Sequence, residues 1–201
     1  MKERAIKSQE CINEGASFLA NIEPRFKYAL EVTGELPLRL SPEGFERLLS
    51  AIIRQQVSVA AANSIWKRLV KANLNGPRKI MRADDGELRA VGLSRQKVRY
   101  ARALAESKIN FRSLRSMSSE EVINTLTQVS GIGVWTAEIY TMFSLARADV
   151  FAAGDLALQE SARLLFELRE RPSEREIRQM AEKWSPWRAV AARLLWAYYS
   201  Y

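Results

Sequence analysis

Residues 129–137 read V-S-G-I-G-V-W-T-A and lie between two segments with helical periodicity. The two glycines permit positive φ and carry no side chain, so the backbone can turn sharply between one helix and the next. The second helix is predicted to begin near Val134. Its first N–H groups have no partner within the helix and, together with the helix dipole, favour an anion. The stretch therefore predicts a helical hairpin at about 127–138 that can bind a phosphate through Gly131, Gly133 and Val134.

A glycine pair has a purely structural explanation as well. Glycine commonly ends a helix that packs in a core, and a lone G-x-G favours neither explanation. A second glycine-marked turn, G-L-S-R-Q-K-V-R-Y at 92–100, begins another helix with Arg95 and Lys97 near its start. These two cations are candidate DNA contacts, although charged helix faces are most often only solvated.

Helical periodicity extends over nearly the whole chain. Apolar residues between positions 45 and 53, for example, recur at the spacing of one buried helix face. No run alternates apolar and polar residues with a period of two. Many helices of moderate length with short links predict an all-α, bundle-like fold. Helices are predicted at residues 5–20, 24–33, 42–54, 57–72, 77–83, 86–91, 95–108, 119–128, 134–146, 156–168, 174–184 and 187–200.

Serines mark several of these helix starts. Ser41-Pro42 fits an N-cap followed by proline in the first helical position. The segments 118–121 and 173–176 each pair a serine with a glutamate three residues later. This is the capping box, in which each side chain satisfies the backbone N–H of the other residue.

The charge of the chain indicates a polyanionic partner. Its 201 residues carry a net charge of +8, and a basic excess of this size is typical of proteins that bind nucleic acid. No apolar run is long enough to cross a bilayer. The N-terminal sequence has no signal-peptide pattern, which predicts a cytoplasmic location, at the nucleoid if the source is bacterial or archaeal.

The lack of histidine and the scarcity of cysteine limit the catalytic and metal-binding chemistry that is possible. The chain has no histidine, which excludes a histidine general base, a Ser-His-Asp triad and a histidine-ligated metal. Its single cysteine, Cys11, excludes an internal disulfide, a Cys₄ zinc site and a cysteine-ligated iron–sulfur cluster. Any enzyme chemistry must therefore use Asp, Glu, Lys, Arg, Tyr, Ser or Thr, and no metal site made of side chains is predicted.

Asp155 has two competing interpretations. The segment D-V-F-A-A-G-D-L-A-L-Q-E at 149–160 places it after a glycine and before a helix with apolar periodicity. Aspartate is a common N-cap at such a position, so the residues alone favour a structural role. A helix N-terminus also stabilises an ionised carboxylate, which suits a reaction that passes through a sugar cation.

These motifs together resemble those of the helix-hairpin-helix (HhH-GPD) DNA glycosylase superfamily. S-G-I-G-V-W-T-A at 130–137 is similar to the family hairpin, and F-A-A-G-D at 151–155 is similar to the segment that ends in the catalytic aspartate. Within the superfamily the chain resembles the alkylation-repair branch, the 3-methyladenine DNA glycosylase II type. Further stretches that carry this resemblance are L-L-S-A-I-I-R-Q-Q-V-S-V-A-A-A at 48–62, G-L-S-R-Q-K at 92–97 and E-K-W-S-P-W-R-A at 182–189.

The resemblance implies a fold and a reaction. The fold is expected to consist of two helical subdomains flanking a cleft, one made of residues 42–149 with the hairpin and the other of 1–41 plus 150–201. The reaction is expected to begin with the flipping of a damaged base out of double-stranded DNA. Hydrolysis of its N-glycosidic bond follows, and the enzyme is expected to be a monomer that needs no cofactor.

The resemblance also implies the site residues. Asp155 matches the catalytic aspartate, and Trp135 and Trp196 match aromatic residues of the base pocket. Their indole faces would attract the positive charge of an alkylated purine. Gln56 matches the residue that fills the gap left in the duplex. A structural Na⁺ or K⁺ is expected at the backbone carbonyls of Thr127, Val129 and Ile132.

Departures from the family pattern bear on the activity. Relatives that also cut the strand have a lysine where this chain has Trp135, and without that amine no Schiff base forms, so a monofunctional glycosylase is expected. Ile139 stands where some relatives have an aromatic residue, and the adjacent Tyr140 is expected to face elsewhere. The alternatives are a glycosylase for oxidised or deaminated bases and a non-catalytic hairpin DNA-binding protein.

Overall fold

The computed structural model describes residues 3–201, and its regular secondary structure is helical, which confirms the predicted all-α fold. Within these residues the β-type pairing is limited to one isolated bridge, between Ala5 and Arg147. No described helix has both the length and the apolar character needed to cross a bilayer. The helices are α1 (Gln9–Ile22), α2 (Pro24–Thr33), α3 (Phe45–Arg54), α4 (Val59–Lys71), α5 (Pro77–Arg82), α6 (Asp85–Ala90), α7 (Arg95–Glu106), a 3₁₀ turn (Ser113–Arg115), α8 (Ser119–Thr127), α9 (Val134–Phe143), α10 (Leu156–Leu165), α11 (Glu174–Glu182) and α12 (Arg188–Tyr199).

The capping signals of the sequence predict some helix starts correctly and one wrongly. Both predicted capping boxes form, at the heads of α8 and α11. Helix α3, however, begins at Phe45 and not at Pro42. The preceding Gly44 has φ of +101° and donates its N–H to the hydroxyl of Tyr140, 2.9 Å away. This contact joins residues far apart in the chain, so local sequence could not reveal it.

Pairing between distant segments also shortens two predicted helices. Helix α1 begins at Gln9, because the segment before it is extended and Ile6 donates its N–H to the carbonyl of Ala146 (2.7 Å). Ala146 has φ of +58°, which cannot continue a helix, and α9 ends at Phe143 rather than at the predicted residue 146.

The chain forms two compact units, which are described separately. The first unit consists of Met1–Leu40 with Thr141–Tyr201, and the second of Ser41–Tyr140. The predicted boundaries followed residues 41 and 149. The first division of the structure follows residue 40, and the second follows residue 140, inside α9.

Helix α12 is central to the first unit and packs against α1, α2 and α10. Its apolar face is fully buried, with Val190, Leu194 and Leu195 at 0% relative exposure. Gly15 of α1 allows close approach, because a Cβ at that position would lie 2.7 Å from Val190 and 2.8 Å from Trp187. Tight packing of this kind leaves α12 little freedom to rotate.

Helix α7 is central to the second unit and packs against α3, α5 and α6. The predicted buried face of α3 is confirmed, since Leu48, Leu49, Ile52 and Ile53 are each at most 1% exposed. Burial of this face determines which way the other side of α3 points. The orientation of α3 in turn places the turn that follows it.

An ion pair ties the segment before α10 to the head of α12. Arg188 Nε and Nη2 donate to the two carboxylate oxygens of Asp149 at 2.7 and 2.9 Å, and Ser185 Oγ donates at 2.8 Å. Burial alone would raise the pKa of Asp149, but the hydrogen bonds from Arg188 and Ser185 outweigh it and hold the pKa below its ordinary value. The two charged side chains are only 32% and 30% exposed, so solvent screens them less than a surface pair.

Asp149→Asn should lower the free energy of unfolding by about 1–3 kcal/mol near neutral pH, because Arg188 loses an ionised partner. The folded-state pKa of Asp149 is depressed. Its contribution is therefore present above the unfolded value of 3.8 and is lost as the pH falls through the folded value. Urea unfolding at about pH 7 and about pH 3 measures this, and the wild-type advantage should shrink at the lower pH.

The control for this comparison is Glu14→Gln, which removes the partner of Arg4 in an exposed pair with side chains 48% and 59% exposed. That change should alter stability by less than about 0.5 kcal/mol. Equal stability of the two variants near neutral pH would contradict the role assigned to Asp149.

Candidate active site and nucleic-acid interface

The predicted hairpin is formed by the end of α8, a short loop and the start of α9. Gly131 in this loop has φ of +94°, a conformation that side chains rarely adopt. A Cβ at this position would also lie 2.3 Å from Cγ of Tyr100. Gly131 is therefore required for the fold of the second unit by both its backbone angle and its close contact.

Gly133 has a different role from Gly131. A Cβ built on it meets nothing within 4 Å, and its φ is not in the left-handed region. The residue is exposed, and the following Val134 is 48% exposed. Ala137 donates its N–H to the Gly133 carbonyl (3.0 Å), which closes the first turn of α9. The head of α9 is thus accessible to a ligand as large as a phosphate.

The turn between α3 and α4 lies against this hairpin. Gln55 donates from Nε2 to the carbonyl of Gly131 at 2.9 Å. The next residue, Gln56, is exposed and has φ of +54°, so the chain reverses direction at this residue. The hydrogen bond from Gln55 couples the predicted duplex-filling residue to the predicted phosphate-binding loop.

The two predicted cations of α7 are in different environments. Arg95 is exposed, as expected of a DNA contact. Lys97 is only 9% exposed, and its ammonium group donates to the carbonyl of Ile53 at 2.6 Å. Burial lowers the pKa of Lys97. Since its ammonium group satisfies a carbonyl in the last turn of α3, we remove Lys97 from the candidate DNA contacts.

Trp135 borders a cavity of about 180 Å³ within the second unit. The residue is 46% exposed. Tyr140, expected to face elsewhere, belongs to the wall of this cavity, where its hydroxyl accepts the hydrogen bond from Gly44. The remaining wall residues come from α3, the turn after it and α9, namely Arg47, Leu48, Ala51, Arg54, Gln55, Thr136 and Ile139.

Arg47 is a wall residue that the sequence reasoning missed. Its Nε atom is buried and has no hydrogen-bond partner within residues 3–201. Burial, and then the charge of Arg54, lower the pKa of the Arg47 guanidinium. A signal was present in the sequence, because residues 47, 51 and 54 follow helical spacing beside the buried stripe of α3. Arg47 and Arg54 place positive charge in the wall of the cavity beside Trp135, which the sequence alone did not predict.

Asp155 is the N-cap of α10, which confirms the structural prediction for this residue. Its Oδ1 atom accepts hydrogen bonds from the backbone N–H groups of Ala157 (3.0 Å) and Leu158 (3.2 Å). The indole N–H of Trp196 also donates to Oδ1, at 3.2 Å. The first unit thus brings two of the predicted site residues together, and the three donors fix the orientation of the carboxylate.

Trp196 lies beside Phe143, which contacts a buried cation. Its ring lies 5.8 Å from that of Phe143, with a 30° angle between the planes. The Arg193 guanidinium lies 4.7 Å from the centroid of Phe143 and donates to the carbonyls of Leu38 and Ala189. Burial lowers the pKa of Arg193 to about 10, so the group is still charged at neutral pH. No local sequence pattern indicates this arrangement, because its members are distant in the chain.

Within residues 3–201 no group of three or more His, Cys, Asp or Glu side chains is placed to hold a metal ion. The hairpin offers only backbone oxygens. The carbonyl of Val129 accepts a hydrogen bond from Ile132 N–H at 3.0 Å, and Thr127 is the last residue of α8.

Comparison with known proteins identifies clear relatives. The HhH-GPD superfamily of base excision DNA repair proteins matches residues 49–186. The DNA-3-methyladenine glycosylase 1 of Schizosaccharomyces pombe is 32% identical over 190 residues, which cover 89% of this chain and 83% of that protein. A structure of the S. pombe 3-methyladenine DNA glycosylase in complex with abasic DNA superimposes with a TM-score of 0.78 at 31% identity, covering 91% of this chain and 95% of that one. The structure of a Bacillus halodurans DNA-3-methyladenine glycosidase superimposes with a TM-score of 0.83 at 32% identity, covering 98% and 91%.

Gly131→Ala should destabilise the protein by about 2–4 kcal/mol, because the new methyl group meets both an unfavourable φ and the Tyr100 ring. Urea unfolding followed by far-UV circular dichroism measures the loss. Gly133→Ala is the matched control and should cost at most about 1 kcal/mol, since its Cβ would enter open space. If the two variants were equally stable, the close packing of Gly131 on Tyr100 would be refuted.

Proposed function

Because the chain belongs to the HhH-GPD superfamily of base excision DNA repair proteins, we propose that it is a DNA glycosylase that excises alkylated bases such as 3-methyladenine. It hydrolyses the N-glycosidic bond of the damaged nucleotide in double-stranded DNA. The observation that carries the proposal is the Asp155 carboxylate, whose Oδ1 is held by three N–H donors at the head of α10. The similarity to proteins named DNA-3-methyladenine glycosylases supports the choice of substrate.

The hairpin binds the DNA backbone. A phosphate approaches the N-terminus of α9 where Gly133 presents no side chain and Val134 is exposed, and the N–H groups and dipole of the helix attract it. Arg95, which is exposed near the start of α7, adds a second positive contact. The net charge of +8 strengthens the attraction to any duplex.

Gln56 fills the space that the flipped base leaves in the duplex. The residue is exposed at the tip of the turn after α3. The Gln55 hydrogen bond to Gly131 holds this turn against the phosphate-binding loop. Binding energy from the phosphate contact can therefore be used to offset the unstacking cost of a few kcal/mol.

Asp155 acts on the sugar. As the C1′–N bond breaks, positive charge develops on the deoxyribose, and the carboxylate stabilises that charge and orients the attacking water. Its hydrogen bonds are formed before the substrate arrives, so the carboxylate need not reorganise during the reaction. Trp196 serves this step by donating its indole N–H to Asp155.

Trp135 supplies an aromatic surface for the damaged base. The residue is half exposed at the cavity of the second unit, and aromatic faces stack on any base. Because a tryptophan replaces the lysine of strand-cutting relatives, no side-chain amine attacks the sugar from this position. The enzyme therefore releases the base and leaves the abasic strand uncut.

A structural Na⁺ or K⁺ fits the hairpin carbonyls. The Val129 carbonyl accepts one hydrogen bond, and a carbonyl oxygen has two lone pairs, so it can also coordinate a cation. The Thr127 carbonyl ends α8, where helical carbonyls lack partners within the helix. The cytoplasmic location and the monomeric state stay predictions.

Asp155→Asn should reduce the rate of 3-methyladenine release from methylated duplex DNA by ~10²–10⁴-fold or more, because the amide lacks the charge that stabilises the sugar cation. Asparagine is as good an N-cap as aspartate, so the fold should be retained. Single-turnover base release measures the rate, and fluorescence anisotropy with an abasic duplex checks that binding is unchanged.

The same assay decides between the proposed activity and its rivals. Base release by the wild type that is lost in Asp155→Asn supports the glycosylase, whereas DNA binding without any release would establish a non-catalytic hairpin protein. Alkali treatment should be needed to cut the product strand. Strand cleavage without alkali would contradict a monofunctional enzyme.

Trp196→Phe should lower the single-turnover rate roughly 10- to 100-fold while leaving the affinity for abasic duplex unchanged, because the carboxylate loses one charged hydrogen bond but the aromatic packing persists. Trp184→Phe is a useful control, since Trp184 packs against Phe26, Phe151 and Phe166 within the same unit. It should reduce thermal stability but not the rate at a temperature where the protein is folded. Equal rates for wild type and Trp196→Phe would refute this positioning role.

A further inference from the structure

Three arginines of the second unit line a surface cavity that is distinct from the cavity beside Trp135. It has a volume of about 420 Å³, and its walls are Asp85, Arg89, Arg95, Val98 and Arg99. We call this cavity the arginine groove. The three arginines are exposed, whereas Val98 is buried. Arg95 is already a proposed DNA contact, but Arg89 and Arg99 have no role at the hairpin.

The arginine groove is formed where the chain turns from α6 into α7. Gly92 in this turn has φ of +103°, and a Cβ there would lie 2.5 Å from Nη2 of Arg68, so the turn requires a glycine. Helix α6 packs against α7, and Arg89 of α6 shares the cavity wall with the start of α7. Arg95 and Arg99 are four positions apart in α7, so they lie on one helix face with their Cβ atoms about 5–6 Å apart.

The positive charge of the arginine groove is not balanced by the rest of the protein. Asp85 is the acidic residue of its wall, and Oδ1 of Asp85 accepts hydrogen bonds from Nε and Nη2 of Arg102 at 3.1 and 2.6 Å. Arg102 also donates to the carbonyls of Ile80 and Ala83 at 3.2 and 2.8 Å, which hold it beside Asp85. Within residues 3–201, no ion pair joins the three wall arginines to an acidic side chain. Cations that share one cavity repel each other, and an anionic ligand would offset this repulsion.

The wall of the arginine groove favours a phosphate over a nucleobase or an apolar ligand. Its lining contains no aromatic side chain on which a base stacks. Each guanidinium presents a planar set of donors that matches the oxygens of a phosphate. A groove lined mainly by one sign of charge also concentrates ions of the opposite sign. In a base excision DNA repair protein, the anion with such oxygens is the DNA backbone.

Helix α7 connects the arginine groove to the hairpin. Tyr100 packs directly on Gly131, where a Cβ would lie 2.3 Å from its Cγ, and Gln96 donates from Nε2 to the Tyr100 hydroxyl at 2.7 Å. Arg95 and Arg99 each precede one of these two α7 residues by one position, or about 100° around the helix axis. A helix with its side chains is about 10–12 Å across, and each strand of a duplex carries a phosphate every ~3.4 Å along the axis. A duplex bound at the hairpin therefore has further phosphates within reach of the groove.

We propose that the arginine groove is a second phosphate-binding site, separate from the head of α9, which binds one phosphodiester of the DNA backbone through Arg89, Arg95 and Arg99. The inference rests on the proposed function only in that it takes DNA as the ligand. Contacts with phosphates carry no sequence information, so the groove binds damaged and undamaged duplexes alike. Its role is to keep the enzyme on undamaged DNA while the enzyme searches for a lesion.

The first test measures the affinity of the double variant Arg89→Gln/Arg99→Gln for an undamaged duplex over a range of salt concentrations, by fluorescence anisotropy. Loss of one phosphate contact should reduce the slope of log Kd against log salt by roughly 0.9. It should also weaken binding roughly 10-fold near 0.1 M salt, because charged hydrogen bonds are lost. Arg89→Lys/Arg99→Lys retains both charges and should therefore retain the slope of the wild type.

Arg78→Gln/Arg82→Gln is the matched control, because Arg78 and Arg82 are exposed arginines of α5 in the same unit and do not line the groove. The control changes the net charge equally and should keep the slope of the wild type. Thermal melting at low salt tests for a structural role. Arg89→Gln/Arg99→Gln should be at least as stable as the wild type, since it relieves repulsion between like charges.

The second test locates the contact on the DNA. In a duplex with a single abasic site, which fixes the register of the protein, each phosphate in turn is replaced by a neutral methylphosphonate. The wild type should lose affinity at two separate positions, one at the hairpin and one at the arginine groove. In Arg89→Gln/Arg99→Gln the groove position should become insensitive to the replacement, whereas the hairpin position should stay sensitive.

Four results would overturn the inference while leaving the glycosylase intact. These are an unchanged salt slope in Arg89→Gln/Arg99→Gln, an equal change of slope in the α5 control, a marked loss of stability in the groove variant, and no phosphate position whose effect depends on the groove. Failure of the wild type to release 3-methyladenine would instead refute the proposed function. The groove can still be confirmed in that case, because both of its tests measure binding and not base release.

Discussion

Three N–H donors converge on Oδ1 of Asp155, two from the first turn of α10 and one from Trp196. The backbone donors follow Asp155 directly in the chain, at Ala157 and Leu158, whereas the indole must be brought from α12. That helix packs against α1, α2 and α10. The ring of its tryptophan lies beside Phe143, which contacts the buried Arg193. The packing of the first unit thus holds one carboxylate in one orientation, and the role proposed for Asp155 at the sugar requires such an orientation.

The second unit differs from the first, since its proposed role is to place backbone N–H groups, rather than a carboxylate, against the DNA. Gly131 combines a positive φ with contact to Tyr100, and Gln55 joins the turn after α3 to the same glycine. The resulting surface at the head of α9 has few side chains to obstruct a phosphate. The proposed phosphate-binding loop and Gln56, the proposed duplex-filling residue, are therefore linked through a small number of short-range contacts.

Three cations of the second unit differ in how far they are buried. Arg95 is exposed, and Lys97 donates to a carbonyl at the end of α3. The Nε of Arg47, beside a mainly apolar cavity, has no hydrogen-bond partner in the described part of the chain. A basic sequence attracts DNA in a general way, but only the tertiary structure shows which of its cations are exposed to a ligand.

The sequence by itself determined the all-α fold, the hairpin, the two capping boxes and the N-cap role of Asp155, because each is encoded within one or two helical turns. Its likeness to a known family then pointed to Asp155, Trp135, Trp196 and Gln56 as site residues. Only the tertiary structure decided that Trp196 donates to Asp155 across 41 positions, that α3 begins at Phe45, and that Lys97 and the Nε atom of Arg47 are buried. These features depend on contacts between residues far apart in the chain, and helical periodicity carries no information about which distant groups will meet.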